Sequence, residues 1–397
     1  MNTPLQIDPI YGLIMQSISK ANIDGKQVFF ISDWNIKNND DIYIKEITIQ
    51  AFLQGGENAY DYLSTDEKYS DLKNDIIKNS NLNIFPENIA ICYSGTSAIF
   101  AALSILTQEC SRFLLFTPSY FLYNDILQYL RNDMAFLSCD YNRPDYTKIE
   151  KAFVENKIQV VILTDPIFAI GQAIDIAMYD YIYQLCKKYD VWLFIDGLYS
   201  GCEWNAELQS IMPNPKIEAI NKYDKAIFID SLSKRIGING NKFALLFANG
   251  SFINAINNFQ LYTFGSFTST QLSLIKELYK TENKKYVLKN IKQLIDSAKE
   301  TYALISSLIL NSQFKILPSD AGYFSSLCIP YNALSVKNDS EAFNNILNRF
   351  DTITLPLSIF RYIISGHYTF RVNLLQNKPL LLKFIRELLE LKQTKSF

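Results

Sequence analysis

Short apolar runs alternate with amphipathic stretches over most of this chain. From residue 89 onward, β-rich runs recur at 89–93, 112–116, 160–163, 191–195, 226–230 and 243–247. Their length and composition predict strands. Between Gly171 and Val191, the residues Met178, Ile182, Leu185 and Tyr189 fall at helical spacing, and Asp190 precedes the next strand. Strands that alternate with helices over this length predict an α/β fold with a mostly parallel, doubly wound sheet. Ligands of such sheets sit beyond the carboxyl ends of the strands.

Farther on, residues 269–310 read as one long helix, mostly without Gly or Pro. It leads into a C-terminal α/β unit with strands at 322–329 and 352–355 and a final helix at 378–392. The segment 1–54 is expected to pack with that unit. The expected organisation is therefore a large domain over 55–290 and a small domain made of 1–54 and 291–397.

Composition narrows the function classes. The chain has 397 residues, 48% of them hydrophobic, which is enough for a sizeable core. Its net charge is -2 and it has no basic block, so a nucleic-acid partner is not expected. No apolar run reaches the roughly 18 residues of a membrane span, and the first eight residues do not read as a signal peptide. Six cysteines are scattered without a Cys-x-x-Cys pair, which suits a reduced cytoplasmic protein. With His367 as the single histidine, neither a histidine-based zinc site nor a Ser-His-Asp triad elsewhere is expected.

The run Ile229-Asp230-Ser231-Leu232-Ser233-Lys234-Arg235-Ile236-Gly237-Ile238-Asn239-Gly240-Asn241-Lys242 carries the most chemistry. A strand feeds two hydroxyls, a lysine and two glycines. A lysine on such a turn, at the edge of a buried sheet, is partly dehydrated. That lowers its pKa and suits Schiff-base chemistry; a surface lysine after a strand is the plain alternative. Ser94-Gly95-Thr96-Ser97 follows one strand and opens a helix, where free N–H groups favour a dianion. The same residues could simply cap that helix through Ser94 or Thr96. Asp196, at the end of the run 191–195, is followed by Gly197-Leu198-Tyr199.

Together these motifs resemble the pyridoxal-phosphate enzymes of fold type I, the aspartate aminotransferase superfamily. The resemblance spans about residues 55–375, with six motifs in the right order. It implies pyridoxal 5'-phosphate as cofactor, with Lys234 as its Schiff-base lysine. Asp196 resembles the partner of the pyridine nitrogen and Tyr199 the donor to the phenolic oxygen. Gly95, Thr96 and Ser97 resemble the phosphate cradle, to which Ser231 and Ser233 add hydroxyls and Lys242 a charge. In Thr117-Pro118-Ser119-Tyr120, Tyr120 resembles the aromatic that covers the cofactor face, although it could equally be a core tyrosine. In Phe370-Arg371-Val372-Asn373, Arg371 resembles the arginine that grips the substrate α-carboxylate; a surface ion pair is the alternative. The resemblance also implies a homodimer with shared active sites, in which Tyr62, or less readily Tyr60, reaches the partner subunit's phosphate.

Three departures stand out. The family's Asn-Pro-x-Asn-Pro-Thr-Gly becomes Asp165-Pro166-Ile167-Phe168-Ala169-Ile170-Gly171, so Phe168 stands where an amide donor is expected. Lys242 replaces a phosphate-gripping arginine, keeping the charge without the planar fork. Leu357 replaces a glycine in Leu355-Pro356-Leu357-Ser358-Ile359-Phe360. The implied activity is an aminotransferase acting on an amino acid, specialised and biosynthetic. Lys234 serves as general base at the α-carbon. Elimination, β- or γ-substitution and oxidation on the same fold remain open. So does a non-catalytic cofactor-binding regulator, although no basic domain precedes the fold. Phe168 is expected to pack near the cofactor ring, unless another amide such as Asn239 fills that place.

Overall fold

The computed structural model describes residues 9–23, 25, 27–36, 41–56, 67–130, 132–138, 144–174 and 176–391. In chain order its strands are β1 (Phe29–Phe30), β2 (Ile89–Cys92), β3 (Arg112–Thr117), β4 (Asp133–Ser138), β5 (Val160–Thr164), β6 (Trp192–Asp196) and β7 (Ala226–Asp230). There follow β8 (Ala244–Phe247), β9 (Lys315–Ile316), β10 (Phe324–Pro330), β11 (Thr352–Ile353), β12 (Leu355–Pro356) and β13 (His367–Asn373).

A seven-stranded sheet in the order β2-β8-β7-β6-β5-β3-β4 forms the centre. Strands β3 to β7 run parallel, and β8 lies antiparallel between β2 and β7. The fold is thus α/β with a mostly parallel sheet, as the alternating pattern predicts. Strands β2, β5, β7 and β8 are buried at every position. Helices cover both faces, which explains why these strands read as continuous apolar runs. The carboxyl ends of β2, β3, β5, β6 and β7 all open on one side, because β2 runs in the same direction as β7.

A second, antiparallel sheet has the order β12-β13-β10-β9. It begins with Phe324 paired to Asn373 and ends with Pro330 paired to His367. Near the chain's start, β1 pairs in parallel with β11. Ser32, just after β1, ties the ends together. Its hydroxyl donates to the Arg371 carbonyl and accepts from Leu355 N at 2.9 Å.

Three elements differ from the sequence reading. The expected strand over 352–355 is divided between β11, which pairs with β1, and β12, which pairs with β13 in the other sheet. The expected helix over 269–310 is broken into Ser269–Tyr279 and Thr281–Ile309, with Lys280 extended between them (φ −61°, ψ 141°). Asn283 Nδ2 donates to the Glu277 carbonyl at 2.8 Å. That carbonyl would have bonded residue 281 in a continuous helix, so a side-chain amide substitutes for the lost backbone bond. Strand β4, absent from the sequence reading, is an edge strand whose apolar run Met134-Ala135-Phe136-Leu137 is mostly exposed or half-exposed.

Candidate active site

A cavity of about 330 Å³ lies beyond the carboxyl ends of the central strands. Its lining includes Gly95, Thr96, Tyr120, Phe168, Asp196, Tyr199, Ser231, Ser233, Lys234, Lys242 and Arg371. Residues scattered over more than 270 positions are brought to one place by the sheet and by β13. Of the sequence-predicted site residues, Ser97 does not line the cavity, and Tyr62, like Tyr60, lies outside the described residues.

The helix Gly95–Leu106 begins at the end of β2. Ser94 and Ser97 form a capping box: Ser97 N donates to Ser94 Oγ at 3.1 Å and Ser94 N donates to Ser97 Oγ at 2.9 Å. The Ser97 hydroxyl is therefore committed to the cap. The first-turn N–H groups at Gly95 and Thr96 face no intrahelical acceptor. A Cβ on Gly95 would come within 2.7 Å of Leu198 Cδ1, so glycine lets the cradle sit against the β6 turn. Also in the lining, Ser231 Oγ and Ser233 Oγ lie 2.8 Å apart, and Ser231 Oγ donates to the Phe243 carbonyl at 2.6 Å.

Lys234 sits in the one-turn helix Leu232–Arg235. The turn is held by a fully buried ion pair between Arg235 and Asp230. Arg235 Nη1 also donates to the Ser200 carbonyl at 2.8 Å, and Tyr323 Oη donates to the Arg235 carbonyl at 2.6 Å. The sequence reading did not single out Arg235 or Tyr323. Lys234 Nζ makes no hydrogen bond or ion pair among the described residues. Burial holds its pKa below the usual lysine value, with Lys242 and Arg371 adding repulsion and Asp196 opposing them.

Asp196 ends β6 and is buried. It accepts from Tyr123 Oη at 2.9 Å and from Leu198 N at 3.3 Å. No cation lies within ion-pair distance of it among the described residues. Burial pushes its pKa up to about 6, against the pull of Tyr123, Leu198 N and Lys234. Gly197 is required next to it, because a Cβ there would lie 2.1 Å from the Phe228 ring. Tyr199 meets Tyr323 and Phe324 edge-on at 6.1 and 5.8 Å, and burial raises its pKa.

Arg371 comes from the middle of β13 and is buried. Nη2 donates to the Ser32 carbonyl, whereas Nε has no hydrogen-bond partner. Its Cζ lies 3.6 Å from the centre of the Trp34 ring, 4.6 Å from Phe324 and 5.8 Å from Phe168. Burial among rings lowers its pKa to about 9, against the pull of Tyr199, Tyr120 and Asp33. A surface ion pair is thus not its setting. Tyr120 stands 5.9 Å from Trp34 and 5.5 Å from Phe168. Asn239 does not replace the amide lost at Phe168: its Nδ2 donates to the carbonyls of Ile36 and Gly237 at 3.3 and 3.4 Å, outside the cavity lining.

Asp165 proves to be part of a buried charge cluster. Lys216 Nζ contacts its Oδ2 and lies 3.1 Å from Glu203 Oε1. Asp165 Oδ1 accepts from Ile174 N at 3.2 Å, and Ser200 Oγ donates to its carbonyl at 2.6 Å. The carboxylate thereby fixes the loop that presents Phe168.

Residues 45–384 match the family described as aminotransferase class I and II. The chain belongs to that family. As an aminotransferase-family member it is a transferase by fold and descent, and the family uses pyridoxal phosphate. It is 25% identical over 271 residues to the (5-formylfuran-3-yl)methyl phosphate transaminase of Methanocaldococcus jannaschii, covering 67% of this chain and 68% of that protein. It is 22% identical over 281 residues to the methionine aminotransferase of Escherichia coli, covering 69% and 68% respectively. An aspartate aminotransferase double mutant from Thermus thermophilus superposes with a TM-score of 0.81 at 11% identity, covering 97% of each chain. Among the described residues, no helix of this aminotransferase-family chain is long and apolar enough to cross a membrane.

The cavity's donor set fits the family cofactor. A buried carboxylate satisfied only by neutral donors is poised for a cation. The same lining holds a glycine-opened helix start, two hydroxyls and a desolvated lysine.

Proposed function

We propose that the protein is a pyridoxal-phosphate-dependent aminotransferase that moves the amino group of an amino acid to a 2-oxo acid. We further propose a specialised biosynthetic role in the cytoplasm, as a homodimer with shared sites. The observation that carries the reading is the convergence of Lys234, Asp196 and Arg371 on one cavity. Gly95, Thr96, Ser231, Ser233 and Lys242 would hold the phosphate, and Tyr120 would cover the ring. Bound there, the cofactor supplies an electron sink for the substrate's α-carbon.

The chain's own residues do the rest. Asp196 would pair with the ring nitrogen and hold it protonated. Tyr199 would donate to the phenolic oxygen. Arg371 would grip the α-carboxylate with the planar edge of its guanidinium and so orient the α-hydrogen. The Lys234 amine, its pKa lowered by burial, would act as the general base that takes that proton. The rings around Arg371 exclude water, which strengthens each of these charge contacts. Unpaired, buried cysteines support a reducing compartment. A small domain formed from residues 1–54 and 291–397 would carry Arg371 and Trp34 against a large domain over 55–290.

The test is borohydride reduction of the protein incubated with pyridoxal phosphate, followed by peptide mapping. The label is expected on Lys234. Label on Lys225 or Lys242, or no label, would overturn the assignment.

A further inference from the structure

We infer that the substrate's side chain is large and apolar, aromatic above all, and that Trp34 is a specificity-determining residue for it. This rests on the function proposed above. Arg371 is the only arginine of the cavity lining among the described residues, and it lies among rings. Trp34 covers its guanidinium at 3.6 Å and Phe324 at 4.6 Å. From Trp34 the same wall continues: Phe168 is stacked on it at 6.0 Å with 28° between planes, Phe121 lies at 6.0 Å and Tyr120 at 5.9 Å. Phe360 backs Phe168 edge-on at 4.9 Å.

A substrate whose carboxylate meets Arg371 must lay its side chain along this wall. The other charged residues of the lining, among those described, are Asp196, Lys234 and Lys242. In the proposed function each is already engaged with the cofactor. Within this subunit's described lining a second carboxylate on the substrate would be desolvated against rings and meet no free cation, which is unfavourable. A phenyl, indole or thioether group would instead bury its surface there and gain edge-to-face contacts. Phe168 then has a role of its own. Where the family pattern has an amide, this chain has a ring that closes one side of the side-chain pocket.

The test uses the pyridoxal-phosphate-loaded protein and three carboxylates without an amino group: 3-phenylpropanoate, butanoate and butanedioate. Dissociation constants are measured by calorimetry, which does not depend on turnover. Expected is binding of 3-phenylpropanoate at least about tenfold tighter than butanoate, with butanedioate the weakest. The ratio between the first two cancels the shared carboxylate and reads the side-chain pocket alone. Trp34→Ala should lower that ratio about tenfold, and Trp34→Phe should keep most of it. Turnover of phenylalanine should exceed that of aspartate. If butanedioate binds tightest while borohydride still labels Lys234, the apolar pocket is wrong and the function stands. An unchanged ratio in a folded Trp34→Ala protein removes Trp34 from the pocket. If Lys234 takes no label and no carboxylate binds, the functional reading falls and this inference with it.

Discussion

Replacing Tyr123 with Phe isolates one hydrogen bond on the carboxylate that matters most. Tyr123 is fully buried, and its ring meets Phe194 edge-on at 5.8 Å, a contact that Phe retains. Only the hydroxyl is lost, 2.9 Å from Asp196 Oδ2. What remains is the longer bond from Leu198 N at 3.3 Å. A hydrogen bond to a charged group is worth about 1.5–3 kcal/mol, and one between neutral groups about 0.5–1.5 kcal/mol. The difference, about 1–1.5 kcal/mol, corresponds to roughly one pKa unit. Asp196 stands at about 6 in the folded chain against an ordinary 3.8, so in the variant it should titrate near 7. The sign follows from proton binding. Between these values the folded chain holds a proton that the unfolded chain has released, so this group adds stability as pH falls through about 6. In Tyr123→Phe that gain should begin about one unit higher. Urea unfolding of dialysed, cofactor-free protein at pH 8 and pH 5 reads it directly. The variant should lose about 1.5–3 kcal/mol at pH 8 and only about 0.5–1.5 kcal/mol at pH 5. An equal loss at both pH values would show that the hydroxyl does not hold the anionic form of Asp196.

Two further outcomes follow from the same geometry. Lys216→Met strands the side chains of Asp165 and Glu203, which are 0% and 7% exposed; the urea midpoint should fall by the equivalent of about 3 kcal/mol, and a wild-type midpoint would show the cluster to be inert. Arg371→Ala should raise KM for the amino acid by about a hundredfold, while Arg371→Lys should recover only part of this, because the ammonium supplies neither the planar fork nor the stack on Trp34; full recovery by Lys would contradict the proposed side-on grip.

What could be read in the sequence was whatever is local. Ser231, Ser233 and Lys234 share a single turn, and Gly95 and Thr96 share a helix start, so spacing alone groups them. The strands buried on both faces announce themselves as apolar runs. Strand β4 carries the same signal in Met134-Ala135-Phe136-Leu137, which the sequence reading passed over, although as an edge strand it buries only Leu137. The break at Lys280 has no Gly or Pro to mark it, and its compensation comes from the Asn283 amide. Trp34 enters the site only because β1 pairs with β11, more than 300 residues away, and no local pattern encodes that pairing. Tyr123 is different. It lies three residues beyond Tyr120, on the helix Phe121–Tyr129, at a spacing that puts the two side chains close together. That signal was present but weak in a chain with 25 tyrosines. The Arg235–Asp230 pair was in plain view within the lysine motif, yet only the fold shows that it anchors the turn.

The clasp between Ser32 and Arg371 joins residues 339 positions apart. During synthesis from the N-terminus, Asp196 and Lys234 are already made when β7 and its turn emerge. The guanidinium and the carbonyl that orients it cannot meet until residue 371 has left the ribosome. A chain stopped short of β13 could carry every group proposed to hold the cofactor and none able to select a carboxylate. The groups proposed to hold the cofactor and the group proposed to select a carboxylate thus come from separate stretches of chain, and the second is set in place by a contact that spans nearly all of the first.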